Sequence, residues 1–292
     1  MPEITGKTAV IGVIGDPIAH TFSPQMHNAA IEALGIDWCY VSFHVTPDRV
    51  RQAIEGVRGL GIRGINVTVP HKQAAMPFLD EISQEASAIG AVNTIAHRDG
   101  RLIGYNTDVY GILAALHYGA GLDPLPPGVA VLGAGGAARG IVYALAGSQA
   151  VERLTILNRT VEKAELLAEE MPRTVSRDRA IEIVARPLDP SSIRAVLRSA
   201  ELIINATSVG MHPVADASVI EDPSAFRQGQ VLFDTVYNPR ETRLMRVARS
   251  GGAQAFNGLD MLVFQGAKSF EIWTGVTPPV NVMRDAIEGQ LS

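Results

Sequence analysis

Along the first third of the chain, short and near-continuous apolar runs alternate with segments whose apolar residues recur at helical spacing. TAVIGVIG (8–15) predicts a strand, and Ser23-Pro24 the start of a helix, with serine as N-cap and proline at the first helical position; Gly35 predicts its end. CYVSFHV (39–45) predicts a second strand, TPDRVRQAIEGVRGLG a helix capped at Thr46-Pro47, and GINVTVP a third strand. Repeated βα units of this kind predict an α/β fold with a mostly parallel sheet. After Pro70, His71-Lys72 stand at the head of what reads as another helix, an uncomfortable place for a cation because a helix N-terminus is positive. AVNTIAHRDGRLIGYNT predicts a hairpin turning at Asp99-Gly100, followed by a helix over about 108–119.

GLDPLPPG, with three prolines and two glycines, is a linker signal, and a new pattern follows it. VAVLGAGGAARGIVYALAG predicts a strand, a glycine-rich turn and a helix; LTILNRT, ELIINATSVG and QVLFDTVY predict further buried parallel strands. From about Gly258 the sequence becomes a long amphipathic helix, LDMLVFQGAKSFEIWTG, expected to cross back onto the first domain. The expected organisation is therefore a first domain of residues 1–107 completed by 258–292, a connecting helix and linker at 108–123, a second domain at 124–257, and a cleft between the domains.

Composition narrows the function. The 292 residues are 47% hydrophobic and carry a net charge of -5, with both signs mixed, so nothing biases the chain toward nucleic acid or a membrane surface. Small molecules, or a second copy in a homodimer, are the expected partners. Cys39 is the single cysteine, which excludes an intrachain disulfide and a thiolate zinc site; no metal is expected, and a reducing cytoplasm is. No signal peptide or membrane-spanning run is read in the sequence. Gly6-Lys7-Thr8 resembles the tail of a phosphate-binding loop, but it precedes a strand where such a loop must follow one.

Gly133-Ala134-Gly135-Gly136-Ala137-Ala138 matches G-x-G-x-x-A between a strand and a helix, the context in which this motif cradles a dinucleotide pyrophosphate. The next strand ends in Asn158-Arg159-Thr160, not in the acidic residue that bonds an NAD ribose. Arg159, with Lys163 one turn on, suits a 2'-phosphate, so NADP is favoured as cofactor.

Four polar clusters are candidates to face the cleft: Thr21-Phe22-Ser23; Asn66-Val67-Thr68 with Lys72; Asn93-Thr94; and Asn106-Thr107-Asp108. Asn66 and Thr68 lie two apart on one strand face, which suggests a hydroxyl-rich ligand. Together with GAGGAARG, NRT, NATSVGM, Tyr237-Asn238-Pro239 and GLDMLVFQGA, in order along the chain, these segments resemble the shikimate dehydrogenase family. The resemblance implies an N-terminal αβα substrate domain completed by the C-terminal helices, a Rossmann NADP domain, and reversible reduction of 3-dehydroshikimate to shikimate in aromatic amino-acid biosynthesis. It implies Lys72 and Asp108 as the catalytic pair, Asn66, Thr68, Asn93 and Gln265 around the substrate hydroxyls, and Thr21, Ser23 and Tyr237 around its carboxylate. Gly258, Met261 and the loop carrying Thr207 and Ser208 would lie near the nicotinamide.

The family's usual Ser-x-Ser is here Thr21-x-Ser23, which keeps the hydroxyl but adds a methyl and stiffens χ1. The choice among shikimate, quinate and a related analogue stays open at this point. Two rivals accompany the main reading: a quinate or quinate/shikimate dehydrogenase using NAD, and a non-catalytic NADP-binding sensor.

Overall fold

The computed structural model describes residues 4–171, 175 and 180–290. Two compact units emerge: the first comprises Met1–Gly111 with Val263–Gln290, the second Ile112–Leu262.

In the first unit, β1 (Ala9–Gly15), β2 (Trp38–His44), β3 (Gly64–Val67), β4 (Glu81–Ile82), β5 (Thr94–Arg98) and β6 (Arg101–Tyr105) form one sheet in the order β2-β1-β3-β5-β6-β4. β1 runs parallel to β2 and β3, and β4 parallel to β6; β5 is antiparallel to both of its neighbours, β3 and β6. Asp99 (φ 49°) and Gly100 (φ 77°) both have positive φ, which matches a type I′ turn at the expected place. The register sets Asn66 of β3 opposite Thr94 of β5, so two polar residues meet inside a sheet otherwise floored by Ile65, Val67 and Ile95.

Helices α1 (Ser23–Leu34), α2 (Val50–Gly59) and α3 (Gln84–Ile89) belong to this unit. Gly35 closes α1 in the left-handed region (φ 63°), with its N–H on the last carbonyls. Two local expectations are corrected. Ser23 is not the N-cap of α1: Phe22 holds that position without a side-chain bond, and the Ser23 hydroxyl instead accepts from Thr21 Oγ1 at 3.1 Å. Nor does Lys72 head an α-helix. The chain makes a single turn, with Ala75 N–H on the His71 carbonyl at 3.0 Å, then a 3₁₀ turn at Met76–Phe78. Pro77 supplies the reason, since it has no N–H to donate and its ring clashes with the carbonyl four residues back. The turn is tied down elsewhere: His71 Nε2 lies 2.6 Å from the Val45 carbonyl, and the Lys72 carbonyl accepts from Val92 N–H at 2.9 Å.

The second unit holds an all-parallel sheet of β7 (Gly128–Leu132), β8 (Arg153–Asn158), β9 (Glu182–Pro187), β10 (Leu202–Asn205), β11 (Val231–Asp234) and β12 (Gln254–Phe256), in the order β12-β11-β10-β7-β8-β9. Helices α5 (Gly136–Gly147), α6 (Val161–Glu170), α7 (Pro190–Leu197) and α8 (Arg243–Ser250) accompany it. The strand order reverses at β7, where dinucleotides bind in doubly wound sheets. Val131, Leu132, Ile156, Leu157, Ile203 and Ile204 are fully buried, as their uninterrupted apolar runs require.

Both chain crossings between units fall inside helices. α4 (Asp108–Ala114) carries the first and continues into a π-helical segment, Ala115–Gly119; α9 (Leu259–Thr274) carries the second, and α10 (Val280–Glu288) ends the described chain. Gly64 shows how tightly α9 meets the first sheet, since a Cβ there would sit 2.2 Å from Trp273 Nε1, which donates to the Ile95 carbonyl at 2.9 Å.

Candidate functional site

The polar residues of the first unit gather at one end of its sheet. Thr21 and Ser23 follow the C-terminal end of β1, Thr68 and Lys72 follow β3, Asn93 precedes the antiparallel β5, and Asp108 follows β6. Ligands of open α/β sheets bind beyond the carboxyl ends of the strands, and this is that end for β1 and β3.

Lys72 Nζ donates to Asp108 Oδ2 at 2.5 Å, and the two side chains are only 12% and 6% exposed. A contact so short and so sheltered is a charge-assisted bond with little water to screen it. The other carboxylate oxygen, Asp108 Oδ1, accepts from Asn93 Nδ2 at 2.9 Å, and Asp108 N–H donates to Asn106 Oδ1 at 3.0 Å. Asn93 is the hub of the cluster. Its Nδ2 also lies 2.9 Å from Thr107 Oγ1 and 3.2 Å from Gln265 Oε1, three acceptors for two hydrogens, while its Oδ1 takes the Thr107 N–H at 2.8 Å. Asn66 Nδ2 points to the Asn93 carbonyl, Thr94 Oγ1 and Ser269 Oγ at 3.1, 3.2 and 3.1 Å, and its Oδ1 accepts the Tyr40 hydroxyl at 2.7 Å. Lys72, Asp108, Asn66, Asn93 and Gln265 are thus brought together. Thr68 is half-buried beside Gly15 of β1, and Thr21 and Ser23, bonded to each other, stand at the start of α1, which Asn28 ties to the Tyr40 backbone.

On the second unit, Gly133 follows β7 with φ 111°, its N–H on the Leu157 carbonyl at 2.7 Å. A Cβ there would meet Ala206 and Thr207 atoms at 3.1 Å, so the left-handed turn and the close neighbour both call for glycine. A Cβ on Gly135 would meet nothing within 4 Å, which leaves open space at the N-terminus of α5, where Gly135 serves as a cap without a side chain and the first-turn N–H groups are free to face an anion. These features fit a dinucleotide pyrophosphate lying over Gly133, Ala134, Gly135, Gly136 and Ala137. Arg159 and Lys163 are exposed beyond β8 and, among the described residues, form no ion pair; Asn158 Nδ2 donates to the Thr160 carbonyl at 2.8 Å, shaping that turn. Thr207 Oγ1 donates to Asn205 Oδ1 at 2.7 Å, Asn205 Nδ2 to Asp234 Oδ1 at 2.8 Å, and Thr242 Oγ1 to Asp234 Oδ2 at 2.6 Å, which anchors the loop of Thr207 and the exposed Ser208. Burial holds the Asp234 carboxyl above its usual range against these bonds. Burial likewise pushes the half-buried Tyr237 phenol up to about 12, so it stays a neutral hydrogen-bonding group. The buried Gly258 lets the chain pass against Thr235, and Met261 is buried.

A cavity of about 590 Å³ elsewhere in the first unit, lined by Lys7, Trp38, Arg63, Arg98 and Trp273 among others, contains none of these residues. No cluster of three metal-ligating side chains exists among the described residues, and no helix there is long and apolar enough to cross a membrane.

Family models match nearly all of this architecture: the shikimate dehydrogenase substrate binding domain at residues 13–95, shikimate / quinate 5-dehydrogenase at 127–257, and the shikimate 5'-dehydrogenase C-terminal domain at 258–288. The shikimate dehydrogenase (NADP(+)) of Methanothermobacter thermautotrophicus is 44% identical over 289 residues, 99% of each chain. The chain belongs to the shikimate dehydrogenase family. Its fold is that of solved members. A shikimate dehydrogenase crystallised in complex with NADP+ superposes with a TM-score of 0.89 at 42% identity, covering 99% of this chain and 98% of the other. The Thermus thermophilus shikimate 5-dehydrogenase, in complex with NADP(H) and shikimate, gives 0.85 at 38% identity, covering 97% and 100%.

Two residues of the network carry little signal in the sequence. Ser269 stands one helical turn after Gln265, a spacing that puts both on one face of α9 and could have revealed it. Tyr40 sits in an apolar strand, and nothing in the sequence signals where its hydroxyl goes.

Proposed function

We propose that this protein is an NADP-dependent shikimate dehydrogenase, interconverting 3-dehydroshikimate and shikimate in the biosynthesis of chorismate and the aromatic amino acids. The observation that carries the reading is the sheltered Lys72–Asp108 contact at 2.5 Å, set among amide and hydroxyl groups at the carboxyl end of the sheet. A binding module needs no such proton-transfer pair, and NADP(+) relatives at 44% and 46% identity support the cofactor and the reaction.

NADPH, when bound, supplies a hydride to the ketone carbon of the substrate. Lys72, as an ammonium, gives a proton to the oxygen as it becomes an alkoxide, and takes it back in the oxidative direction. Asp108 holds the ammonium in place through Oδ2 while Asn93 fixes its Oδ1, so the pair is oriented before substrate arrives. Asn66, Thr68, Asn93 and Gln265 receive the ring hydroxyls; Thr21, Ser23 and Tyr237 receive the carboxylate. Gly133 to Ala137 cradle the pyrophosphate, Asn158, Arg159, Thr160 and Lys163 take the 2'-phosphate ribose, and Thr207, Ser208, Gly258 and Met261 belong to the nicotinamide end. A cytoplasmic location and a homodimer complete the reading, the former supported by a single, buried, free cysteine, Cys39.

The test is a steady-state assay of purified protein with shikimate, quinate or neither, each with NADP+ and with NAD+. Shikimate-dependent NADPH formation, faster than with quinate or NAD+, is expected. Turnover confined to quinate and NAD+, or absent with every pair, would overturn the assignment.

A further inference from the structure

We infer that Tyr40, which touches neither reacting group, is the positioning residue that joins the Thr21-Ser23 loop to Asn66 and makes Asn66 a hydrogen-bond acceptor for a substrate hydroxyl. The inference rests on the functional reading above.

Both hydrogens of the Asn66 amide are committed inward. Nδ2 has three acceptors in the interior, the Asn93 carbonyl at 3.1 Å, Thr94 Oγ1 at 3.2 Å and Ser269 Oγ at 3.1 Å. The backbone carbonyl decides the orientation: a flipped amide would set Oδ1 against the Asn93 oxygen, and neither could donate. Oδ1 already accepts from Tyr40 at 2.7 Å and has one lone pair left. That lone pair is all Asn66 has to offer a ligand, and it selects a donor.

Tyr40 is itself clamped from α1, the helix whose first turn carries Ser23. Asn28 exchanges two bonds of 2.9 Å with the Tyr40 backbone, and the His27 ring stacks on the Tyr40 ring at 4.2 Å with planes 5° apart. At the start of that helix Thr21 Oγ1 donates to Ser23 Oγ, and on the other side Tyr40 donates to Asn66 Oδ1. A shift of α1 that moves the anion loop therefore moves the group that orients Asn66. The ring of Tyr40 would pack the core equally well as phenylalanine; only the hydroxyl explains the alignment with Asn66.

Tyr40→Phe removes one oxygen. Its expected effect is a rise of about five- to tenfold in both the calorimetric Kd for shikimate, measured without cofactor, and the KM for shikimate, the worth of one buried hydrogen bond. KM for NADP+ and kcat stay within about twofold of wild type, because the variant removes substrate binding shared equally by the ground state and the transition state. In an Asn66→Ala background Tyr40→Phe adds nothing further, since its effect passes through Asn66. Should Asn66→Ala not fold, Ser269→Ala provides the second arm: it removes an interior acceptor of the Asn66 amide and is expected to weaken shikimate binding with NADP+ affinity unchanged. A wild-type Kd for shikimate in Tyr40→Phe, equal losses for shikimate and NADP+, or full additivity with Asn66→Ala would overturn the inference while leaving the enzyme assignment intact. Wild-type protein that neither binds nor oxidises shikimate would overturn the assignment and the inference together.

Discussion

His27 is fully buried in α1, and neither ring nitrogen has a hydrogen-bond partner among the described residues. It serves as a flat plate, stacked on Tyr40 and 6.1 Å from the Phe270 ring centroid. Burial pushes its pKa down from 6.5 to about 3. The unfolded chain binds a proton near 6.5, so between these values the unfolded state holds more protons and stability rises with pH. The contribution is complete above pH ~6.5 and is lost as pH falls toward 3. At 1.36 kcal/mol per pH unit the whole window is worth about 5 kcal/mol, of which about 2 kcal/mol is lost between pH 7.5 and 5.0. That second figure depends almost entirely on the unfolded value and hardly on how far below 5 the folded value lies. Both tryptophans, Trp38 and Trp273, lie in the first unit with His27, so tryptophan fluorescence during urea unfolding reports the unit concerned. His27→Phe keeps the stacked plate and removes the titration. Glu85 and Asp234, carboxyls held above their usual range chiefly by burial, act in the opposite sense and are present in both proteins. Wild type is expected to lose about 2 kcal/mol more than His27→Phe on going from pH 7.5 to 5.0. Parallel losses would mean that His27 takes up a proton in the folded state, and the reasoning from burial would fail.

Three further outcomes follow from the two sites. Lys72→Ala should lower kcat by about two to four orders of magnitude, the usual size of a general acid/base contribution, with NADP+ affinity by calorimetry preserved; near-normal turnover would remove Lys72 from the chemistry. Arg159→Ala should raise KM for NADP+ far more than for NAD+, and equal changes would show that Arg159 does not read the 2'-phosphate. Gly133→Ala forces a side chain into φ 111° and against Ala206, so both NADP+ binding in a calorimetric titration and stability to urea should fall, the latter by about 1–2 kcal/mol; wild-type values would mean the turn relaxes freely.

Strands buried on both faces were legible as apolar runs, and the glycine turn after β7 was legible from its context. β4, β9 and β12 were not: β4 is two residues long, β9 is an edge strand with partly exposed residues, and β12 has three residues, too few to show a period. The helical composition of HKQAAM points to a helix at Lys72, but Pro77 just downstream prevails and leaves a single turn. Ser23 fits a cap by its type and by its neighbour Pro24, yet its hydroxyl is spent sideways on Thr21. Lys72, Asp108, Asn66 and Asn93 could be nominated from the family motifs; that one amide, Asn93, ties Asp108 to Gln265 across the network depends on side-chain geometry that no spacing rule encodes.

Asn66 and Ser269 are 203 residues apart in the chain, Thr94 and Ser269 175, and Ile95 and Trp273 178. The second unit is continuous from Ile112 to Leu262, so during synthesis all of it has emerged before α9 supplies its first residue to the first unit. Until then the amides of Asn66 and Asn93 lack their α9 partners, and the strand face at Gly64 lies uncovered. The part of the molecule made first is thus the part finished last, and the loop that must close to finish it spans more than half of the chain. Such long-range closure is slow and leaves apolar surface open to association. A nascent chain halted before Val263 should contain a folded second unit preceded by an open first one, and the rate at which α9 docks should set how soon after release the protein acquires a working site.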